Sequence, residues 1–321
     1  APVPRVCRDQ QGCRAQGQYL MAHVAVVSHD AGGAEILSSW LNRTHCPASV
    51  VVAGPAESIF RRKCPRAEFL SLDDALDRSS WVLCGTGWQS NFERHAIARG
   101  RALGKKTVAF LDHWVNYRER FDEGGRSVLP DEIWVGDIDA ERIARALFDQ
   151  TPVLLQPNPY VEDLQAEIVG IQTGKSGAAA NRVLYVCEPV ADHALAQYGD
   201  ERHWGYTEHD ALRFFLTNVA ALGQSVDAIT IRPHPSEQAG KYQWAAGLIP
   251  LLVEFGGKKN LLEETLASDI VVGCESMAMV VGLLAGKRVI STIPPGGRPC
   301  QLPHGNIEHM QQLVGGSAHH G

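Results

Sequence analysis

An acid, an imidazole and an indole occupy three consecutive positions in Phe110-Leu111-Asp112-His113-Trp114, directly after an apolar run. A carboxylate there can take a proton from an attacking hydroxyl, with the imidazole polarising or relaying. The bland alternative is a capping aspartate beside a packed histidine. A second stretch, Ser28-His29-Asp30-Ala31-Gly32-Gly33-Ala34, follows the first apolar run. Gly32 and Gly33 let backbone approach a ligand closely, and a helix N-terminus behind them favours an anion. The stretch is not G-x-G-x-x-G, so it makes no dinucleotide case. Asp30 is a further candidate base, or a partner for an acceptor hydroxyl.

Two more stretches lie in the second half. In Ile231-Arg232-Pro233-His234-Pro235-Ser236-Glu237, prolines on both sides of His234 restrict the backbone and remove two amide donors. A rigid imidazole next to Arg232 suits a phosphate through charge-assisted hydrogen bonds. In Val272-Gly273-Cys274-Glu275-Ser276, Gly273 permits close approach. Ser276 and the amides behind it suit phosphate oxygens, and Glu275 suits ribose hydroxyls. Glu275 or Ser276 can equally cap the helix, and both roles can coexist. Gly170 to Ser176 is a decoy: three residues separate its glycines where a P-loop has four, and no convincing strand precedes it.

Apolar strand-like runs alternating with helical periodicity must position these loops. The first half offers Val24–Val27, Val50–Ala53, Val82–Cys84, Val108–Leu111, Ile133–Val135 and Val153–Leu155. Each is apolar throughout, as expected for parallel strands covered on both faces. Asp139 is placed to cap a helix carrying Ile143, Ala144 and Leu147, and Asn91 to cap one running past Phe92 to Leu103. Alternation breaks from Gln156 to Asn181, then resumes with Val183–Val186, Ile229–Ile231, Leu251–Val253, Ile270–Val272 and Val289–Ile290. Asn260 with Glu263 forms a capping-box variant, while Met277, Val280, Val281 and Leu284 mark a helix closed by Gly286.

The expected architecture is α/β, with two Rossmann-like doubly wound parallel-sheet lobes and an interlobe cleft. Residues 1–20 read as a poorly ordered extension, 21–160 as an acceptor lobe, 161–181 as a linker and 182–321 as a nucleotide-donor lobe. Ligands in such folds bind beyond the carboxyl ends of the strands, where all four stretches fall.

Composition narrows the classes. The 321 residues support two cores, and a net charge of −6 gives no electrostatic case for nucleic acid. The longest greasy stretch, Met277 to Ala285, is far too short to span a bilayer, which leaves peripheral membrane association open. No apolar signal-peptide region opens the chain. Eight cysteines without a C-x-x-C pair read as reduced thiols of a cytoplasmic protein, neither disulfides nor metal ligands.

"ITIRPHPSE" followed by "LASDIVVGCESMAMVVGLLAGKRVIS" resembles the C-terminal lobe of GT-B glycosyltransferases. The similarity is greatest to bacterial sialyl-, polysialyl- and CDP-glycerol-type transferases of surface polysaccharide synthesis, and covers roughly residues 229–297. In those families a His-Pro motif and a serine at a later helix N-terminus hold the donor phosphate; His234-Pro235 and Ser276 match them. Glu275-Ser276 departs from the usual Ser-Ser pair. Asp112-His113-Trp114 only partly matches the families' acidic or His-Gly base motifs, so the base stays open between Asp112 and His113. The resemblance implies metal-independent, inverting transfer of a sugar or glycerophosphate-like group, without cofactor. The donor would be a nucleotide-sugar, and the acceptor a saccharide or polymer hydroxyl. No Asp-x-Asp cluster sits at a strand end to hold magnesium–diphosphate. A sugar-nucleotide 2-epimerase, sharing the two-lobed fold, is the competing enzyme class. It needs several acids converging on the sugar, and the sequence shows no obvious set. A non-catalytic nucleotide-sugar binder, keeping His234 and Ser276, is the third reading.

Overall fold

The computed structural model describes residues 22–87, 90–172 and 181–317. The extension expected over 1–20 lies outside them, as does most of the polar run Gly174–Asn181. Two compact units divide the chain, Ala1–Asp163 and Leu164–Gly321.

The first unit is built on a parallel sheet of seven strands: β1 Val24–Ser28, β2 Ala48–Val52, β3 Glu68–Phe69, β4 Trp81–Cys84, β5 Lys106–Leu111, β8 Glu132–Val135 and β9 Val153–Leu155. Helices α1 Ala31–Arg43, α2 Pro55–Lys63, α3 Leu72–Arg78, α4 Phe92–Ala102 and α5 Ile138–Leu147 connect them. Strand order is β3-β2-β1-β4-β5-β8-β9, so the winding direction reverses between β1 and β4. Alternate residues of β1 enter opposite cores: Ala25 and Val27 pack with Ile97 and Phe121, Val24 and Val26 with Leu37 and Phe60. Burial on both faces is why these strands read as unbroken apolar runs.

The second unit repeats the plan with β10 Arg182–Val186, β11 Ala228–Arg232, β12 Leu252–Phe255, β13 Ile270–Gly273, β14 Arg288–Ser291 and β15 Ile307–His309. Its order, β12-β11-β10-β13-β14-β15, reverses between β10 and β13. Helices α7 Val190–Tyr198, α8 Glu208–Thr217, α9 Leu261–Leu266, α10 Met277–Leu284 and α11 Met310–Ser317 belong to it. Its core gathers Tyr185, Phe215, Ile229, Tyr242 and Met310.

Helix α6, Pro159–Gln172, crosses the boundary between the units. The connection expected over 161–181 is therefore helical as far as Gln172. Asn158 explains the start, because its side chain accepts from Val161 N at 3.3 Å. Sequence periodicity missed β3, β15 and a hairpin of β6 Asp122–Glu123 with β7 Arg126–Ser127. These are two or three residues long, too short to show a period. The hairpin turns on Gly124 and Gly125, both at positive φ, as a two-residue turn requires. Two caps also shift. The α5 cap is Asp137, which accepts from Ala140 N at 2.8 Å, while Asp139 lies in the first turn. Asn91 occupies the α4 cap position without a side-chain bond, and Ser90 Oγ accepts from Phe92 N instead.

Candidate functional site

In each unit, ionisable side chains collect at the carboxyl ends of strands at or beside the point where the strand order reverses, which is where ligands enter doubly wound sheets. In the first unit β1 ends at Ser28 and α1 starts at Ala31, leaving His29 and Asp30 between them. Asp30 holds the N-cap position yet caps nothing. Its Oδ1 instead lies 2.7 Å from His29 Nδ1, with both side chains about a quarter exposed. If Nδ1 donates to Asp30, the lone pair is left on Nε2. Gly54, at φ +54°, leaves room for that nitrogen, since a Cβ there would fall 2.6 Å from it. Gly87 does the same for Asp30, where a Cβ would fall 2.6 Å from Oδ2. Beneath the pair, His29 N donates to Glu93 Oε1 at 2.7 Å. Glu93 is buried, its Oε2 has no hydrogen-bond partner, and burial raises the pKa of its carboxyl.

Asp112 follows β5 at the same end of the sheet. Its Oδ1 accepts from buried Arg120 Nη1 at 2.5 Å and from Thr86 Oγ1 at 3.3 Å. Arg120 also donates to Thr86 O and Val115 O, lashing the loop after β4 to the loop after β5. Asp112 Oδ2 rests on Gly32, where a Cβ would approach it to 1.9 Å. Gly33 packs against Gly85, 3.1 Å from a would-be Cβ to its Cα, so its bareness serves close packing of α1 on the sheet. His113 Nδ1 accepts from Trp114 N at 3.0 Å, which leaves the proton of a neutral ring on Nε2. Trp114 Nε1 in turn reaches Asp137 at 3.0 Å.

In the second unit the two loops expected to hold a donor follow β11 and β13, and several of their groups are already occupied. Arg232 turns away from His234, donating to Glu264 Oε2 at 2.6 Å and Lys259 O at 3.0 Å. His234 Nδ1 meets Ser236 Oγ at 2.7 Å, and its amide donates to Glu237 Oε2 at 2.8 Å. Glu237 Oε1 takes Lys241 Nζ at 2.9 Å, and Lys241 also reaches Glu208, which accepts from Ala191 N at the start of α7. This clasp ties the His234 loop to the helix that carries His193. Burial lowers the pKa of both imidazoles, and each stands within electrostatic reach of acids of the clasp.

Gly273 is bare for packing reasons, because a Cβ would lie 2.8 Å from Val186 Cγ2 and 3.1 Å from Met279 Sδ. Ser276 caps α10, accepting from Ala278 N at 3.2 Å. Glu275 is paired with Arg298 and accepts from Gln301 N at 3.1 Å; Arg298 stacks 4.4 Å over Trp204. The amides ahead of α10 are also taken. Glu188, just beyond β10, accepts from Cys274 N at 3.2 Å and Glu275 N at 2.8 Å. Enclosure of that carboxyl and the nearby Glu275 push its pKa up to about 8. Because β10 lies between β11 and β13, His234 and Ser276 follow strands roughly 10 Å apart, with Glu188 at the strand between them.

The structure therefore brings Asp30, Gly32, Gly33, Asp112 and His113 to one end of the first sheet. It brings Arg232, His234, Gly273, Glu275 and Ser276 to the corresponding end of the second. Sequence reasoning passed over His29, Glu93, Arg120, Glu188, His193 and Lys241. The strand-end rule that selected Asp112 also fits Glu188, in Val186-Cys187-Glu188-Pro189. No group of three or more metal-ligating side chains occurs among the described residues, and none of their helices is long and apolar enough to cross a membrane.

No family model matches the chain, and no curated protein matches it by sequence. Solved structures do match. The S. aureus MnaA–UDP co-structure is 10% identical, over 93% of this chain and 87% of that one, with a TM-score of 0.62. The UDP-GlcNAc 2-epimerase from Methanocaldococcus jannaschii is 10% identical, over 92% of each chain, with a TM-score of 0.58. The glycotransferase of kitacinnamycin is 16% identical, over 92% of this chain and 84% of that one, at 0.50. At such identities the likeness is one of fold: two parallel-sheet α/β units, common to glycosyltransferases and epimerases.

Proposed function

We propose that this chain is a nucleotide-sugar-dependent transferase, moving a sugar or glycerophosphate-like group from a nucleotide-activated donor to a hydroxyl acceptor in surface polysaccharide synthesis. The observation that carries the reading is the His29–Asp30 pair at the strand reversal of the first unit. An acceptor hydroxyl is a poor nucleophile at neutral pH, and an imidazole oriented by a carboxylate is the side-chain arrangement suited to accept its proton. In this reading His29 Nε2 is the base and Asp30 fixes its tautomer. Asp112, committed to Arg120, is a positioning residue, with His113 next to it on the same loop. In the second unit, His234 and the loop Gly273 to Ser276 hold the donor phosphate. Departure of the nucleotide is assisted by these donors without a metal ion.

The test is incubation of the pure protein with CMP-, CDP-, UDP- and GDP-linked donors, first by thermal shift and then by nucleotide release with acceptor. Stabilisation by one donor and nucleotide release that persists in EDTA are the expected results. No stabilisation by any of them would sink the reading.

One observation favours a second reading, a 2-epimerase. Asp30, Glu93 and Asp112 gather at one sheet end, supplying the converging acids that such chemistry requires. Epimerisation removes and returns a carbon-bound proton, so the sugar-nucleotide would gain solvent deuterium without releasing nucleotide. Transfer would release nucleotide without that exchange.

A further inference from the structure

Glu188, like Glu93 in the first unit, has no cationic partner among the described residues, and of the two it alone lies against the loop into α10. Asp30 is paired with His29, Asp112 with Arg120, Glu275 with Arg298, and Glu93 accepts an amide of the His29 loop. The Glu188 carboxyl faces backbone amides of Cys274, Glu275 and Ser276. These amides open the loop into α10, the place where the donor reading puts a phosphate. An ionised Glu188 and a phosphate would therefore compete for the same donors, two anions within a few ångströms of each other.

We propose that Glu188 is a donor-binding residue that works in its protonated form, with the carboxylic O–H donating to a phosphate oxygen of a bound nucleoside diphosphate. This rests on the donor-site reading above. In the neutral state its carbonyl oxygen still satisfies the loop amides while the hydroxyl supplies a hydrogen bond that a carboxylate cannot. The proton stays on Glu188, and no covalent bond is made or broken.

The surroundings support a neutral acid. Groups facing it are Glu275, Cys187, Cys274, Tyr206 and Cys300, with Arg298 bound to Glu275. Burial raises the pKa of the three thiols and of the Tyr206 phenol, so these groups are uncharged near neutrality. Tyr185, beneath them, is likewise raised by burial. Glu275, although paired with Arg298, adds like charge beside Glu188. A charge on Glu188 would be met by the loop amides alone, with no cation beside it, and burial and Glu275 disfavour it. The sheet order adds position, because β10 lies between the strands that lead to His234 and Ser276.

Glu188→Gln keeps the shape and the carbonyl acceptor while fixing the group in a neutral state, so it separates protonation from packing. Two measurements follow. In the unliganded protein, a carboxyl whose folded pKa of about 8 exceeds its ordinary value binds an extra proton on folding. Its stabilisation is complete below the ordinary carboxylate range and is lost as pH rises through about 8. The melting temperature of the wild type should fall relative to that of Glu188→Gln between pH 6 and 9 on this account, as roughly one proton is lost. With UDP, CDP, GDP and CMP as probes, wild-type affinity for any that bind should drop about tenfold per pH unit above roughly pH 8. The variant should stay flat. Parallel melting curves of the two proteins across this range would overturn the protonated state. Wild-type affinity as flat as the variant's would overturn the inference while leaving the donor site intact. If none of the four nucleotides binds either protein, the donor-site reading and this inference fall together.

Discussion

The two strand reversals share one strand order and differ in what their unpaired acid faces. In the first unit each acid is tied to a basic partner or a loop amide: Asp30 to His29, Asp112 to Arg120, Glu93 to His29 N. In the second, Glu237 and Glu275 are tied to Lys241 and Arg298, and the acid without a cation, Glu188, sits on amides between the loops that carry His234 and Ser276. The first arrangement suits moving a proton from a hydroxyl, and the second suits gripping an anion through neutral donors. Winding a sheet sets where chemistry occurs, while the loops decide its kind.

The largest effect should come from the first unit. His29→Ala should reduce turnover by roughly 10²–10⁴-fold with donor affinity nearly intact, as measured by steady-state kinetics on the donor found in the panel. Normal turnover would transfer the base to Asp112 or His113. Asp112→Asn separates positioning from catalysis. It leaves Arg120, 5% exposed, without its ionised partner, and should cost about 3–5 kcal/mol in urea unfolding. A full-strength kinetic defect with unchanged stability would make Asp112 catalytic after all.

In the second unit, His234→Ala should weaken nucleotide binding by roughly 1.5–3 kcal/mol, read by calorimetry, with acceptor-side behaviour untouched. Equal losses in both would erase the division of labour. The smallest test compares two caps. Ser276→Ala removes a bond to Ala278 N and should cost about 0.5–2 kcal/mol of stability. Asp30→Ala removes no cap bond, so its effect should fall on turnover more than on melting.

Most of this fold was legible because buried parallel strands leave a plain signature. Every expected strand was found, within a residue or two at each end, from Val24–Ser28 to Arg288–Ser291. Strands of two or three residues, such as Glu68–Phe69, have no period to detect. The site was legible in place more than in role. Arg232 sits where expected, yet Glu264, 32 residues further on, takes its guanidinium. Gly273 and Gly33 invite a ligand-approach reading, whereas Val186 and Gly85 explain their lack of side chains. Such pairings depend on contacts across the sheet, which spacing along the chain does not encode. His29 was available in the same loop as Asp30 and needed only the thought that adjacent residues can pair with each other instead of with substrate.

The repeated strand order has a consequence for synthesis. In each unit the first strand made, β1 or β10, lies inside the sheet and pairs on both edges. On β1, Val24 must await Trp81. On β10 the delay is longer, since Arg182 N donates to Asp269, 87 residues on. At ribosomal rates of roughly 5–20 residues per second, that edge waits about 4–17 s for its neighbour. A nascent second unit therefore carries an open, apolar strand edge for longer than the first, and it is the half of this protein on which a chaperone should be found during translation.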